Sequence, residues 1–190
     1  MAFAVAGLLV ALPRHLGAAG AIPADLRTKP VHAIASIYDA VGECRSTLSD
    51  EKRWQIADAV ESNARRYGFD PLFVQAMVEV ESTCSPTAKS PRGALGLIQV
   101  RPSTARAVAL EAGLEWSGSQ KLLEPDFNVN VGLAYLNQLG EHFDDPHVAI
   151  AAYNLGPTRV ANMPESRVRK SRYVRNVLAR YQHLLDQRAT

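Results

Sequence analysis

Two glutamates, Glu79 and Glu81, stand two residues apart at the end of an apolar run, in the stretch VEVESTCSPTAKSPRGALGLIQV from Val78 to Val100. Two carboxyl groups roughly 5–10 Å apart are what acid–base cleavage of a glycosidic bond uses, one as acid and one as base or nucleophile. On a helix, two positions turn one side chain about 200° from the other, so this pair cannot address one bond. The two also differ in what lies three, four and seven residues back on the same helical face. For Glu81 these are Val78, Met77 and Val74; for Glu79 they are Ala76, Gln75 and Leu72. An apolar surround disfavours the ionised carboxylate and raises its pKa, as a general acid working near neutral pH requires. Glu81 is therefore the candidate. It sits at a helix end, where a loop-formed cleft can reach it. A helix-terminal glutamate without chemistry is the ordinary alternative, and the residues after it in the chain decide between the two.

The elements that must position Glu81 read as helices. Asp50 and Glu51 open one that carries Trp54, Ala57, Val60 and Ala64 at three-to-four spacing and ends at Gly68. Asp70-Pro71 restarts the chain as a second helix, with a capping residue and a proline at the first helical position, running to about Ser82. A loop rich in Ser, Pro and Gly extends from Thr83 to Gly96, then a short helix PSTARAVALEAG closed by Gly113. Further helices are expected from Asp126 to His142, from Pro146 to the break at Gly156-Pro157, and from about Ser166 to Asp186, the last burying Val174, Val177, Leu178, Tyr181 and Leu185. No β-alternating run of useful length and no 20–50-residue repeat is present, so the fold class is all-α.

The chain has 190 residues, 47% of them hydrophobic, which suits one domain with a real core. A net charge of +2 gives no reason to expect nucleic acid as a partner. At the N-terminus, Ala2 to Leu12 is an apolar run of secretory length, and Ala19-Gly20-Ala21 suits a signal peptidase, so residues 1–21 read as a signal peptide and the protein as exported. No Lys or Arg precedes the run and Arg14 comes after it, which leaves a mis-called start codon or a short uncleaved anchor as the alternatives. Residues 22–48 read as a linker with room for one helix, and residues 49–188 as the domain proper. The cysteines, Cys44 and Cys84, would in an exported chain permit a disulfide between the segment before the first helix and the loop after Glu81. Two unrelated thiols, one buried as a small hydrophobe, fit the sequence equally well. No clustered His or Cys spacing suggests a metal. Between Arg167 and Arg180 stand six basic residues and no acid; a solvated helix face and attraction to an anionic wall or membrane surface are the two readings.

After Glu81-Ser82, the blocks SPRGALGLIQ (Ser90 to Gln99), Pro102-Ser103-Thr104-Ala105, NVNVGLAYL (Asn128 to Leu136) and AIAAYNLGPTRV (Ala149 to Val160) occur in order. Together they resemble the catalytic core of the soluble lytic transglycosylases, over about Asp50 to Leu185. The resemblance implies a lysozyme-like helical domain with a cleft. The implied reaction is cleavage of the β-1,4 bond between N-acetylmuramic acid and N-acetylglucosamine in peptidoglycan, leaving 1,6-anhydromuramic ends. By the same resemblance Glu81 would be the acid and then the base, and Tyr153 would hold the carboxyl region in place. Ser90 and Gln99 would contact the muramic sugar near its N-acetyl group, with Ile98, Asn154 and Tyr135 as further substrate-binding candidates. No cofactor and no metal is expected. Peptidoglycan strands are the expected partner, with secretion or cell-wall machinery as a second, and a monomer in the periplasm or cell envelope is the expected state.

The motif blocks after Glu81 offer no second carboxylate, and the next acids, Glu111 and Glu115, lie outside them. A site with one carboxyl group needs the substrate to supply the missing one. Muramic acid carries a 2-acetamido oxygen that can stabilise positive charge at the anomeric carbon and a C6 hydroxyl that can attack it, both already in place. Non-hydrolytic intramolecular transfer is therefore the expected mechanism. Departures from the family pattern are Cys84, where aromatic or small residues are common, Ile98 for Met, and Leu155 and Thr158 for small residues, the last two expected to narrow the cleft. A goose-type-lysozyme-like hydrolase and a non-catalytic glycan-binding component of an envelope-spanning machine are the alternatives.

Overall fold

The structure, a computed structural model, describes residues 33–189. The signal-peptide segment, 1–21, lies outside the described residues. Among the described residues nine α-helices succeed one another: α1 (Ala33–Cys44), α2 (Asp50–Tyr67), α3 (Pro71–Ser82), α4 (Pro102–Glu111), α5 (Pro125–His142), α6 (Pro146–Leu155), α7 (Pro157–Ala161), α8 (Glu165–Arg169) and α9 (Arg172–Ala189), with a 3-10 turn at Ser119–Leu123. Among the described residues there is no strand, only isolated antiparallel bridges of Leu95 to Lys89 and Val100. No helix there is long and apolar enough to cross a membrane.

Local chemistry sets the helix ends. Ser49 caps α2 by accepting the Lys52 N–H, and Gly68, at φ 73°, closes it by donating to the carbonyls of Ala64 and Arg65. Asp70 caps α3 through the Leu72 N–H at 2.8 Å, and Pro71 occupies the first helical position, where no N–H is missed. The same Asp70 accepts a hydrogen bond from the Tyr181 hydroxyl at 3.1 Å, which fixes the start of α3 against α9.

Helix α3 runs through the middle of the molecule. Every residue from Pro71 to Val78 is buried, Gln75 included, so the helix is covered on all sides and packs against α1, α2 and α9. Helix α5 lies along α2 and carries α4 and α6 on its other sides. The floor of the domain is thus built from helix faces, and the top from the loop 83–101, which none of the helices contains.

Two stretches add to the sequence reading. Helix α1 is the one helix for which the segment 22–48 has room, and its Ile37 and Val41 are wholly buried in the common core. It is also bonded to the loop after α3 by a Cys44–Cys84 disulfide, with Cα atoms 6.2 Å apart. The helix expected over Ser166 to Asp186 is broken into α8 and α9. The Ser171 hydroxyl accepts the Val174 N–H at 3.2 Å and starts a new helix, as a side-chain cap competes with continued helix. The face of α9 that is buried then carries Tyr173, Val174, Val177, Tyr181 and Leu184, while Leu178 and Leu185 are only partly covered.

Candidate active site

Glu81 leaves the last turn of α3 into a cleft of about 620 Å³. Helix α3 ends there because Thr83 takes up φ 50°, and Cys84 at φ 56° continues the reversal. The Thr83 N–H is held by the Glu79 carbonyl at 3.0 Å, and Cys84 is held by its disulfide. Of the described residues that line the cleft, Glu81 is the one with a carboxyl group. Burial raises its pKa from 4.5 to about 7. The Tyr173 hydroxyl opposes part of that rise: it is buried, lacks a hydrogen bond of ordinary geometry, and faces the Glu81 carboxyl group closely enough to favour its ionised form. Glu79 is turned away and forms an ion pair with Arg180 of α9, and it also accepts the Gln75 side-chain amide at 3.1 Å. Glu111 is bound by Gln138 and Glu115 lies near Lys121, and neither reaches the cleft.

The loop that roofs the cleft is shaped by four local devices. Ser90-Pro91-Arg92-Gly93 is a turn closed by the Gly93 N–H on the Ser90 carbonyl at 2.9 Å, with Gly93 at φ 78°. The Ser90 hydroxyl accepts the Ala94 N–H at 3.0 Å. Gln99 sits at φ 52°, unusual for a side chain with a Cβ, and its side-chain amide donates to the Gly96 carbonyl at 2.8 Å and to the Ala88 carbonyl at 3.2 Å. Finally, Asn128 of α5 binds the loop from below. Its oxygen accepts the Ile98 N–H at 2.9 Å, and its amide donates to the carbonyls of Leu95 and Leu122, each at 2.9 Å. Gly96 is required at this crossing: a Cβ there would lie 2.3 Å from the Asn128 amide nitrogen and from the Leu122 carbonyl.

From α6, Tyr153 reaches the cleft beside Glu81, and its hydroxyl donates to the Ile98 carbonyl at 2.9 Å. Burial, with the charge of Glu81 adding to it, pushes the phenol well above its ordinary pKa, so Tyr153 keeps its proton and works as a fixed donor. Its ring packs tilted on Tyr135 of α5, with centroids 5.5 Å apart.

Glu81, Ser90, Gln99, Tyr135, Tyr153 and Asn154 all line this one cleft. Ile98 does not: its side chain is wholly buried and points the other way, onto Gly132, where a Cβ would come within 2.1 Å of the Ile98 Cδ1 and 2.9 Å of the Tyr153 hydroxyl. What Ile98 offers the site is its backbone carbonyl, so the reading of its side chain as substrate-binding is corrected. Of the two residues expected to narrow the cleft, Leu155 lines it and Thr158 does not. Sequence reasoning does not single out Tyr173, Asn128, Arg92 or Arg101 as site residues. Tyr173 has a signal, an aromatic at the head of the last apolar stripe, but the stripe alone reads as core. Among the described residues no group of three His, Cys, Asp or Glu is placed to hold a metal ion.

The family model for the transglycosylase SLT domain matches residues 58–176, and the chain belongs to that family. It is 33% identical over 162 residues to the soluble lytic murein transglycosylase of Salmonella typhimurium, covering 73% of this chain and 25% of that one. It is 41% identical over 86 residues to the endo-type membrane-bound lytic murein transglycosylase A of Cronobacter sakazakii, covering 43% of this chain and 41% of the relative. The solved 70 kDa soluble lytic transglycosylase of Escherichia coli shares the fold, with a TM-score of 0.61 at 24% identity over 80% of this chain and 29% of that chain. The chain thus spans about a quarter of the length of the Salmonella relative.

Proposed function

We propose that the protein is a lytic transglycosylase that cleaves the β-1,4 bond between N-acetylmuramic acid and N-acetylglucosamine without consuming water. The observation that carries this reading is that Glu81 is the one carboxyl group among the described residues lining the cleft, with its pKa raised to about 7. At neutral pH such a group is present in both forms, so it can act first as acid and then as base. Protonated Glu81 gives its proton to the glycosidic oxygen as the bond from that oxygen to the muramic C1 breaks. The acetamido oxygen of the same sugar stabilises the charge left on C1. The Glu81 carboxylate then takes the proton of the C6 hydroxyl as its oxygen bonds to C1, closing the 1,6-anhydro ring and returning Glu81 to its starting form. One proton leaves Glu81 and one comes back, and no second protein carboxylate is called for.

In this reading Tyr153, tethered to the Ile98 carbonyl, sets the wall against which Glu81 is aimed. Ser90, Gln99 and Asn154 offer the sugar polar groups, and Tyr135 lines the same cleft. Similarity to murein transglycosylases named as soluble and as membrane-bound supports work in the cell envelope. Mass analysis of the muropeptides released from purified sacculi tests the chemistry. Anhydromuramic ends are the expected product; reducing muramic ends would show that water attacks, as in a goose-type lysozyme, and no release at all would favour a glycan-binding role.

A further inference from the structure

The cleft holds two charges that the proposed chemistry does not use. Arg92 and Arg101 both line it, both are exposed, and neither is paired with a carboxylate among the described residues. The backbone holds each of them in place. Arg92 sits at the third position of the Ser90–Gly93 turn, behind Pro91, and Arg101 occupies the residue before Pro102 at the start of α4. That second position is an adverse one for a cation, because the free N–H groups of a helix start carry partial positive charge. The Arg101 carbonyl accepts the Ala105 N–H at 2.9 Å, but its side chain makes no capping hydrogen bond there, so the charge does nothing for its own helix. Two unpaired cations on the wall of a cleft are placed for an anionic substituent of the ligand.

We propose that Arg92 and Arg101 form a carboxylate-recognition subsite, which reads the acidic substituent on the muramic sugar. This rests on the reading of the cleft as a peptidoglycan site. The guanidinium fork matches a carboxylate geometrically, and a pair of forks favours a ligand with more than one carboxylate. Two sources have that chemistry: the carboxylates of the peptide stem, and the lactyl carboxylate left on muramic acid when the stem is gone.

The test uses the full chain and three preparations of the same glycan strands: stems intact, stems removed by an amidase so that the lactyl carboxylate is bare, and stems intact with their carboxylates converted to primary amides. The wild type is expected to have a kcat/KM about tenfold higher on intact than on amidated strands, carried by KM and shrinking with added salt. The ratio is expected to fall to about one in the Arg92→Gln, Arg101→Gln double variant. A preference that survives stem removal assigns the lactyl group as the ligand, and one that vanishes with the stem assigns the peptide. Equal wild-type rates on intact and amidated strands would overturn the subsite, and so would a double variant that keeps the wild-type ratio. Binding of the same three strands to the Glu81→Gln chain, read by fluorescence anisotropy, separates this inference from the reaction itself. If the wild type cuts nothing but the charge preference appears in binding, the subsite stands and the cleavage reading falls.

Discussion

Glu81 keeps its proton up to about pH 7 because its carboxyl group stands against buried apolar neighbours on α3, and that has a consequence for stability as well as for rate. In the unfolded chain the group ionises near 4.5, so between 4.5 and about 7 the folded state binds more protons than the unfolded one. Stability contributed by this residue is then present at low pH and lost as pH rises through that window. Glu81→Gln, which cannot ionise, should be more stable than the wild type at pH 8 by up to about 3 kcal/mol, with the gap closing at pH 4. Urea denaturation at the two pH values checks this, and an equal gap at both would contradict it. The same variant should lose about 10³-fold in sacculus clearing, the loss expected of a missing general acid. Tyr173→Phe removes the one group that favours the ionised form of Glu81, so the basic limb of the pH–rate profile should move to higher pH while the fold is kept.

At the scale of elements, the site depends on how the loop 83–101 is fastened to α5. Asn128 binds three backbone groups of the roof and the 3-10 turn at once, and Asn128→Ala removes all three bonds, leaving the Leu95 carbonyl only the Val100 N–H. The expected cost is about 3 kcal/mol, read as a shift in the denaturant midpoint, and cleavage should fall with it because the roof carries Ser90 and Gln99. The helices and their ends are legible in the chain, since caps such as Ser49, Asp70 and Gly68 act within three or four residues. Glu81 is legible for the same reason: its neighbours on the helix face lie close in sequence. The direction of a side chain in the loop is not. Ile98 is beside Gln99 in sequence, yet the left-handed turn at Gln99 sends one into the core and the other to the cleft, and no local pattern records that. Tyr173 escapes a sequence reading because it meets Glu81 only once α9 docks on α3, and along its own helix it counts as one more apolar residue.

For the molecule as a whole, the Cys44–Cys84 bond joins the first described helix to the loop beside the acid. It spans 40 residues, for which chain entropy gives about 3–4 kcal/mol of stabilisation. Reduction should lower the denaturant midpoint by that much, and a Cys44→Ser, Cys84→Ser chain should match the reduced wild type while losing all response to reductant. Part of the basic run near the C-terminus is also explained at this scale. Arg180 is engaged with Glu79, and Arg169 with Glu165 and Asp145, so these two belong to the fold rather than to a free cationic face.

Helix α1 has a consequence for modularity. The family match begins at residue 58, well after α1, yet Ile37 and Val41 lie in the core and Cys44 is bonded to Cys84, three residues past the acid. A graft of the matched span alone into another host would carry Cys84 as an orphan thiol and an uncovered apolar surface where α1 had been. A portable unit must therefore include α1, and the border that recognises the family falls inside the unit that keeps Glu81 in place.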